Sequence, residues 1–115
     1  MKIKKNLPAI LLTLGVIVIA VLMVIFRGPK AILFYGETCP HCKIVEEYML
    51  ENGTREKMEF QELEVYNNKG NAALLNKTAK NCGFDTTGGV GVPFFYDGES
   101  CFMGDVDIIS YFEKL

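Results

Sequence analysis

The sequence predicts an α/β domain whose elements run β-α-β-α-β-β-α around a mixed four-stranded sheet, preceded by one transmembrane helix. Three observations carry this. Residues 7–26 form a run of twenty without a charge. Residues 31–35 are a short apolar run, followed after a turn at Gly36 by cysteines three positions apart, Cys39 and Cys42. Beyond them, segments of helical spacing alternate with short strand-like segments, and Asp97-Gly98 joins the last two strands as a hairpin.

With 115 residues the chain has room for one domain beside an anchor. The expected division is a basic N-terminus at 1–6, the transmembrane anchor at 7–26, a linker at 27–30 and the domain at 31–115. As a helix, the uncharged run spans about 30 Å, the thickness of a hydrocarbon core. It is longer than the apolar region of a secretory signal, and Val24-Ile25-Phe26-Arg27-Gly28 offers no small-residue cleavage site. An uncleaved, single-pass anchor is therefore expected. Lys2, Lys4 and Lys5 with the amino terminus outweigh Arg27 and Lys30, which places the N-terminus in the cytoplasm and the domain outside it. Gly28-Pro29 ends the helix.

Charge divides with the segments. The first thirty residues carry five basic and no acidic groups, whereas residues 31–115 carry seven basic against all fourteen acidic ones, a net of −7. Such a domain is unsuited to a polyphosphate backbone, so nucleic acid is not an expected partner. Eight Phe and five Tyr supply a core for a small domain.

Taken in order, residues 31–35 read as a strand buried on both faces. Pro40 suits the first turn of the next helix, where its missing N–H is no loss. Ile44, Val45, Tyr48 and Met49 form that helix's apolar side, Glu46, Glu47 and Glu51 a solvated one, and Asn52-Gly53 its stop. Residues 58–65 read as a second strand. Met58 and Phe60 share one face, then the pattern shifts to Leu63 and Val65, which predicts an irregularity near Glu62. A turn at 66–70 leads to a helix over 72–80 with Ala72, Leu75 and Ala79 inward, ending at Asn81-Cys82-Gly83. The Gly-rich stretch 86–92 leads to Pro93. Its Gly88-Gly89-Val90-Gly91 follows a helix and precedes a strand, the reverse of a phosphate cradle. Strands at 94–96 and 100–103 form the hairpin. Gly104 breaks it, and Asp105 caps a last helix with Ile108, Ile109 and Phe112 inward. Two β-α-β connections predict parallel pairing of the first strands, and the hairpin adds an antiparallel edge.

The chemistry lies in Cys39-Pro40-His41-Cys42. A thiolate, not a thiol, is the reactive form of cysteine. Cys39 falls at the start of a helix, where unpaired N–H groups and the helix dipole favour negative charge. His41, the only histidine, adds to this when protonated. A lone histidine is more often a surface residue, but its place between two such cysteines favours a role. Cys39 is thus expected to be the exposed attacking thiolate and Cys42, one turn inward, the resolving thiol. The nearest acidic candidate to accept the proton of Cys42 is Glu37, with water the alternative. Cys82 and Cys101 are core thiols, a structural disulfide or a second relay pair; an extracytoplasmic domain favours the disulfide. The four cysteines also admit a zinc-holding membrane interaction module, although the second pair is nineteen residues apart, unlike the close pairs of structural zinc sites.

The element order, the Cys39-Pro40-His41-Cys42 motif after the first strand and Val92-Pro93 opening the hairpin resemble the thioredoxin superfamily, in its minimal, glutaredoxin-sized form, over residues 31–115. The resemblance implies a thioredoxin/glutaredoxin fold and a thiol–disulfide oxidoreductase. It implies a cis Val92-Pro93 bond lying against the dithiol. Pro40-His41 is similar to the inner dipeptide of bacterial extracytoplasmic disulfide oxidases. The implied partners are protein thiols and disulfides as clients and a separate redox protein that recycles the dithiol, with no cofactor or metal beyond the cysteines. Thr38 stands where thioredoxins carry Trp, and Leu33 where they bury an acid. Met103-Gly104-Asp105-Val106-Asp107 keeps one Gly and the last Asp of the glutaredoxin segment that holds glutathione, so glutathione use is not implied. A cytoplasm-facing, glutaredoxin-like reductase is the other reading of the same resemblance.

Overall fold

The computed structural model describes residues 2–26 and 30–115. Apart from Lys30, the expected linker lies outside them. Helix α1 covers Lys2–Ile25, starting before the uncharged run, so Pro8 lies inside it. Its segment Lys5–Ile25, 21 residues, is long and apolar enough to cross a membrane, and its apolar side chains are exposed.

After it come β1 (Ile32–Tyr35), α2 (Pro40–Asn52), a short α3 (Thr54–Lys57), β2 (Gln61–Glu64), α4 (Lys69–Asn81), β3 (Phe94–Tyr96), β4 (Cys101–Met103) and α5 (Asp105–Phe112). The strands form one mixed sheet in the order β2-β1-β3-β4. β1 pairs parallel with β2, as the first β-α-β connection predicts. The second connection, through α4, carries the chain to the other side of β1, where β3 runs antiparallel to it. β4 then closes the antiparallel hairpin.

Strand side chains alternate between faces, and this sheet buries both. Leu33 and Phe95 are register partners on one face, where Val45 and Met49 of α2 and Ile108 and Phe112 of α5 cover them. Phe34 and Phe94 pair on the other, under Leu75 and Ala79 of α4. The ring of Phe95 meets those of Phe60, Phe102, Tyr111 and Phe112 at centroid separations of 5.1–6.5 Å. The domain is therefore a mixed α/β sandwich with helices on both faces of a central sheet.

Four local expectations change. β2 is shorter than 58–65, and its register with β1 runs without interruption from Ile32↔Gln61 to Tyr35↔Glu64. The phase shift has another cause. Met58 and Phe60 pack under α2 and α5, whereas Leu63 and Val65 pack under α4, so one segment serves both faces in turn. Helix α4 begins at Lys69 rather than 72, because Asn68 caps it by accepting the Asn71 N–H at 2.9 Å. Ile44 lies outside the apolar side of α2 and is 44% exposed. Asp105 does not cap α5; Gly104 does, at φ 92°, with no side-chain bond. The expected stop of α2 is present: Gly53, at φ 60°, gives its N–H to the Met49 carbonyl.

Candidate functional site

β1 is an inner strand, and the chain leaving its C-terminal end turns at once into α2. Gly36 accepts the Cys39 N–H at 3.1 Å, closing a tight turn. The Tyr66 ring lies over Gly36 where a Cβ would stand, so any other residue here would have to displace that ring. Glu64 pins the same turn: its carboxylate accepts the backbone N–H of Glu37 at 2.8 Å and that of Asn67 at 2.6 Å. The bond from Asn67, followed by those from Glu37 and Tyr66, holds the Glu64 carboxyl below its ordinary range.

Cys39 is the N-cap of α2, with Pro40 in its first turn. Its Sγ accepts the Cys42 N–H at 3.2 Å, where other helices place a Ser or Asp oxygen. Cys39 and Cys42 are disulfide-bonded, with Cα atoms 5.2 Å apart. Cys39 is not exposed as expected: it is 4% accessible, against 8% for Cys42. The cause is the segment before β3. Register pairs Phe34 with Phe94, which sets Val92 and Pro93 alongside the end of β1. The Val92 carbonyl oxygen lies 3.6 Å from Cys39 Sγ, and the Val92-Pro93 bond is cis.

His41 is on the rim, its side chain 67% exposed, with Nδ1 3.0 Å from Asp105 Oδ1. The β3–β4 ladder brings Asp105 there. Phe94 pairs with Met103, and Gly104 gives its N–H to the Pro93 carbonyl at 2.9 Å, so the next residue emerges beside the dithiol.

Behind Cys42 is a cavity of about 220 Å³ whose walls include Leu33, Met49, Glu37, Lys43, Glu46 and Glu62. Glu37 thus shares a wall with Cys42, but its carboxylate also accepts the Asn67 amide at 3.0 Å. Both oxygens of Glu62 are held by Arg55, at 2.6 and 3.0 Å, and this bond keeps the guanidinium above its ordinary value. Glu46, exposed with Glu47 and Glu51 on the solvated face of α2, also borders this cavity.

Cys82 and Cys101 form a second disulfide, Cα atoms 6.1 Å apart, joining the end of α4 to β4. The cysteines therefore stand as two bonded pairs, and among the described residues no group of three or more His, Cys, Asp or Glu is placed to hold a metal. Sequence reasoning missed Asp105, Glu64, Tyr66 and Glu62 as neighbours of the site. The signal for Glu64 and Tyr66 was parallel pairing itself, since the C-terminal ends of β1 and β2 must lie side by side.

The arrangement can hold a thiolate at a helix N-terminus, beside a second sulfur one turn away. Compared with known proteins, the chain matches no family model and no curated protein.

Proposed function

We propose that this chain is a membrane-tethered thiol–disulfide oxidoreductase of the thioredoxin/glutaredoxin type, acting on protein clients outside the cytoplasm. One observation carries the reading: Cys39 Sγ occupies the N-cap of α2 and accepts the Cys42 N–H, a position that favours a thiolate. In the oxidising direction a client thiolate attacks Cys39 Sγ and the Cys39–Cys42 bond breaks. A mixed disulfide forms, and Cys42 leaves with the electron pair and takes a proton. A second client thiolate then attacks the client sulfur and releases Cys39 as the thiolate. The client loses two electrons and the dithiol gains them. A separate dithiol or disulfide protein resets the pair. Run backward, the same steps reduce a client.

Val92 lines the approach to Cys39, and a client strand can pair with its backbone, whereas the Pro93 carbonyl is already taken by the Gly104 N–H. Residues 7–26 supply the tether. The test is a full-length Cys42→Ser chain in cells, trapped with acid and an alkylating agent. Reductant-sensitive adducts on Cys39 are expected, on protein clients reachable from outside the cytoplasm. Absence of adducts, or adducts only through Cys82 or Cys101, would sink the reading.

A further inference from the structure

We propose that Asp105 is a positioning residue for the dithiol, holding the His41 ring at Nδ1 and so moderating the oxidising power of the Cys39–Cys42 pair. The proposal rests on the redox reading above.

The contacts close a ring around Cys39. From Cys39 the backbone leads to His41, whose Nδ1 meets Asp105 Oδ1 at 3.0 Å. From Asp105 the chain steps back to Gly104, whose N–H binds the Pro93 carbonyl. Before Pro93 comes Val92, whose carbonyl oxygen lies 3.6 Å from Cys39 Sγ. Asp105 is the less mobile half of the pair. Its side chain is 21% exposed against 67% for His41, and it is fixed by a helix start and a strand ladder. It therefore orients the imidazole rather than the reverse.

In the disulfide form the carboxylate is the anion His41 serves. After reduction Cys39 carries a second negative charge, and the carboxylate and the thiolate compete for His41 as a hydrogen-bond donor. While Asp105 holds Nδ1, that donor is turned toward the start of α5. Removing the carboxylate frees the ring to donate to the thiolate and takes away a neighbouring anion, which stabilises the reduced form and makes the disulfide a stronger oxidant. The other charged groups around the dithiol, Glu37, Lys43, Glu46 and Glu62, line the cavity behind Cys42.

The test uses the full chain in detergent, as wild type, Asp105→Asn, His41→Gln and the double variant. Asn is nearly isosteric, and Gly104 rather than Asp105 caps α5, so the helix start is retained. Each protein is equilibrated with reduced and oxidised glutathione: protein disulfide and two thiols give protein dithiol and glutathione disulfide. The Cys39–Cys42 peptide is read by mass spectrometry. Asp105→Asn is expected to favour the dithiol about tenfold, equivalent to roughly 30 mV, and to change little when His41 is Gln. No change, a change of opposite sign, or the same change in both backgrounds overturns the proposal.

Failure of the wild type to equilibrate would instead count against the redox reading. The pH midpoint for alkylation of reduced Cys39 then decides the role of Asp105. A lower midpoint in Asp105→Asn, present only with His41, supports it, and an unmoved one overturns it.

Discussion

Cys39 Sγ is bracketed by two backbone groups, the Cys42 N–H at 3.2 Å and the Val92 carbonyl at 3.6 Å. The first favours a negative sulfur, and the second belongs to the segment that buries it, leaving Cys39 4% accessible against 8% for Cys42. The two sulfurs therefore differ in electrostatics more than in accessibility. Cys39 lies at the helix start, whereas Cys42 is a turn inside. With one partner changed to Ser, Cys39 is expected to alkylate at pH 7 about tenfold faster than Cys42, because the helix start favours its thiolate and a place one turn inside does not. Rates on Cys42→Ser and Cys39→Ser chains, read at the single remaining cysteine of the pair, check this. Equal rates would remove the basis for naming Cys39 as nucleophile.

Glu64 ties the turn before Cys39 to the chain after β2. The N–H groups it accepts depress its carboxyl, so folding binds fewer protons at this site than the unfolded chain does. The stabilisation is present above the ordinary carboxylate value, near 4.3, and is lost as pH falls through the lower folded value. Glu64→Gln should therefore lower the unfolding temperature at pH 6, by a margin that shrinks as pH falls through the lower folded value. A difference that persists unchanged at pH 3 would mean the carboxylate charge is not what holds the turn.

How much of this was legible depended on how local each feature is. The strand-to-helix turn, the two cysteines, Pro40 and the Gly53 stop lie within two dozen residues, and their patterns could be read directly. The His41–Asp105 contact joins residues 64 apart and exists only because β1, β3 and β4 are in one register. Asp after Gly at a helix start reads as a cap, and the sequence contains no sign that it turns elsewhere. The burial of Cys39 likewise depends on where residues 92–93 pack. The apparent break in 58–65 misled for a different reason. An irregular strand and a strand shared by two cores give the same apolar pattern, and only the positions of the covering helices separate them.

Phe95 tests the core that positions the dithiol. It is fully buried, pairs with Leu33 on β1 and meets four other aromatic rings from the segment before β2, from β4 and from α5. Phe95→Ala should cost about 3–5 kcal/mol, since the cavity is enclosed by rings that cannot easily collapse into it. Denaturant unfolding followed by Tyr signals measures this. A loss under about 1 kcal/mol would show that the site's central strand is held mainly by α4 from the other face.

The Cys82–Cys101 bond is the last feature whose role divides two readings. Its sulfurs join residues 19 apart in sequence, and Cys101 packs with the cluster of Phe34, Leu75, Ala79 and Phe94 on the face away from α2. Neither cysteine lies at a helix N-terminus, since Cys82 follows the end of α4, where the dipole opposes a thiolate. A bond of this kind stabilises by shortening the unfolded chain, and a loop of this length corresponds to about 3 kcal/mol. The paired change Cys82→Ser with Cys101→Ser should lose stability of that order, while disulfide exchange at Cys39 and Cys42 continues at close to the wild-type rate. A relay role predicts the opposite pattern. Exchange with a soluble dithiol partner would then fail although the domain remains folded, so stability and exchange rate measured on one preparation separate the two.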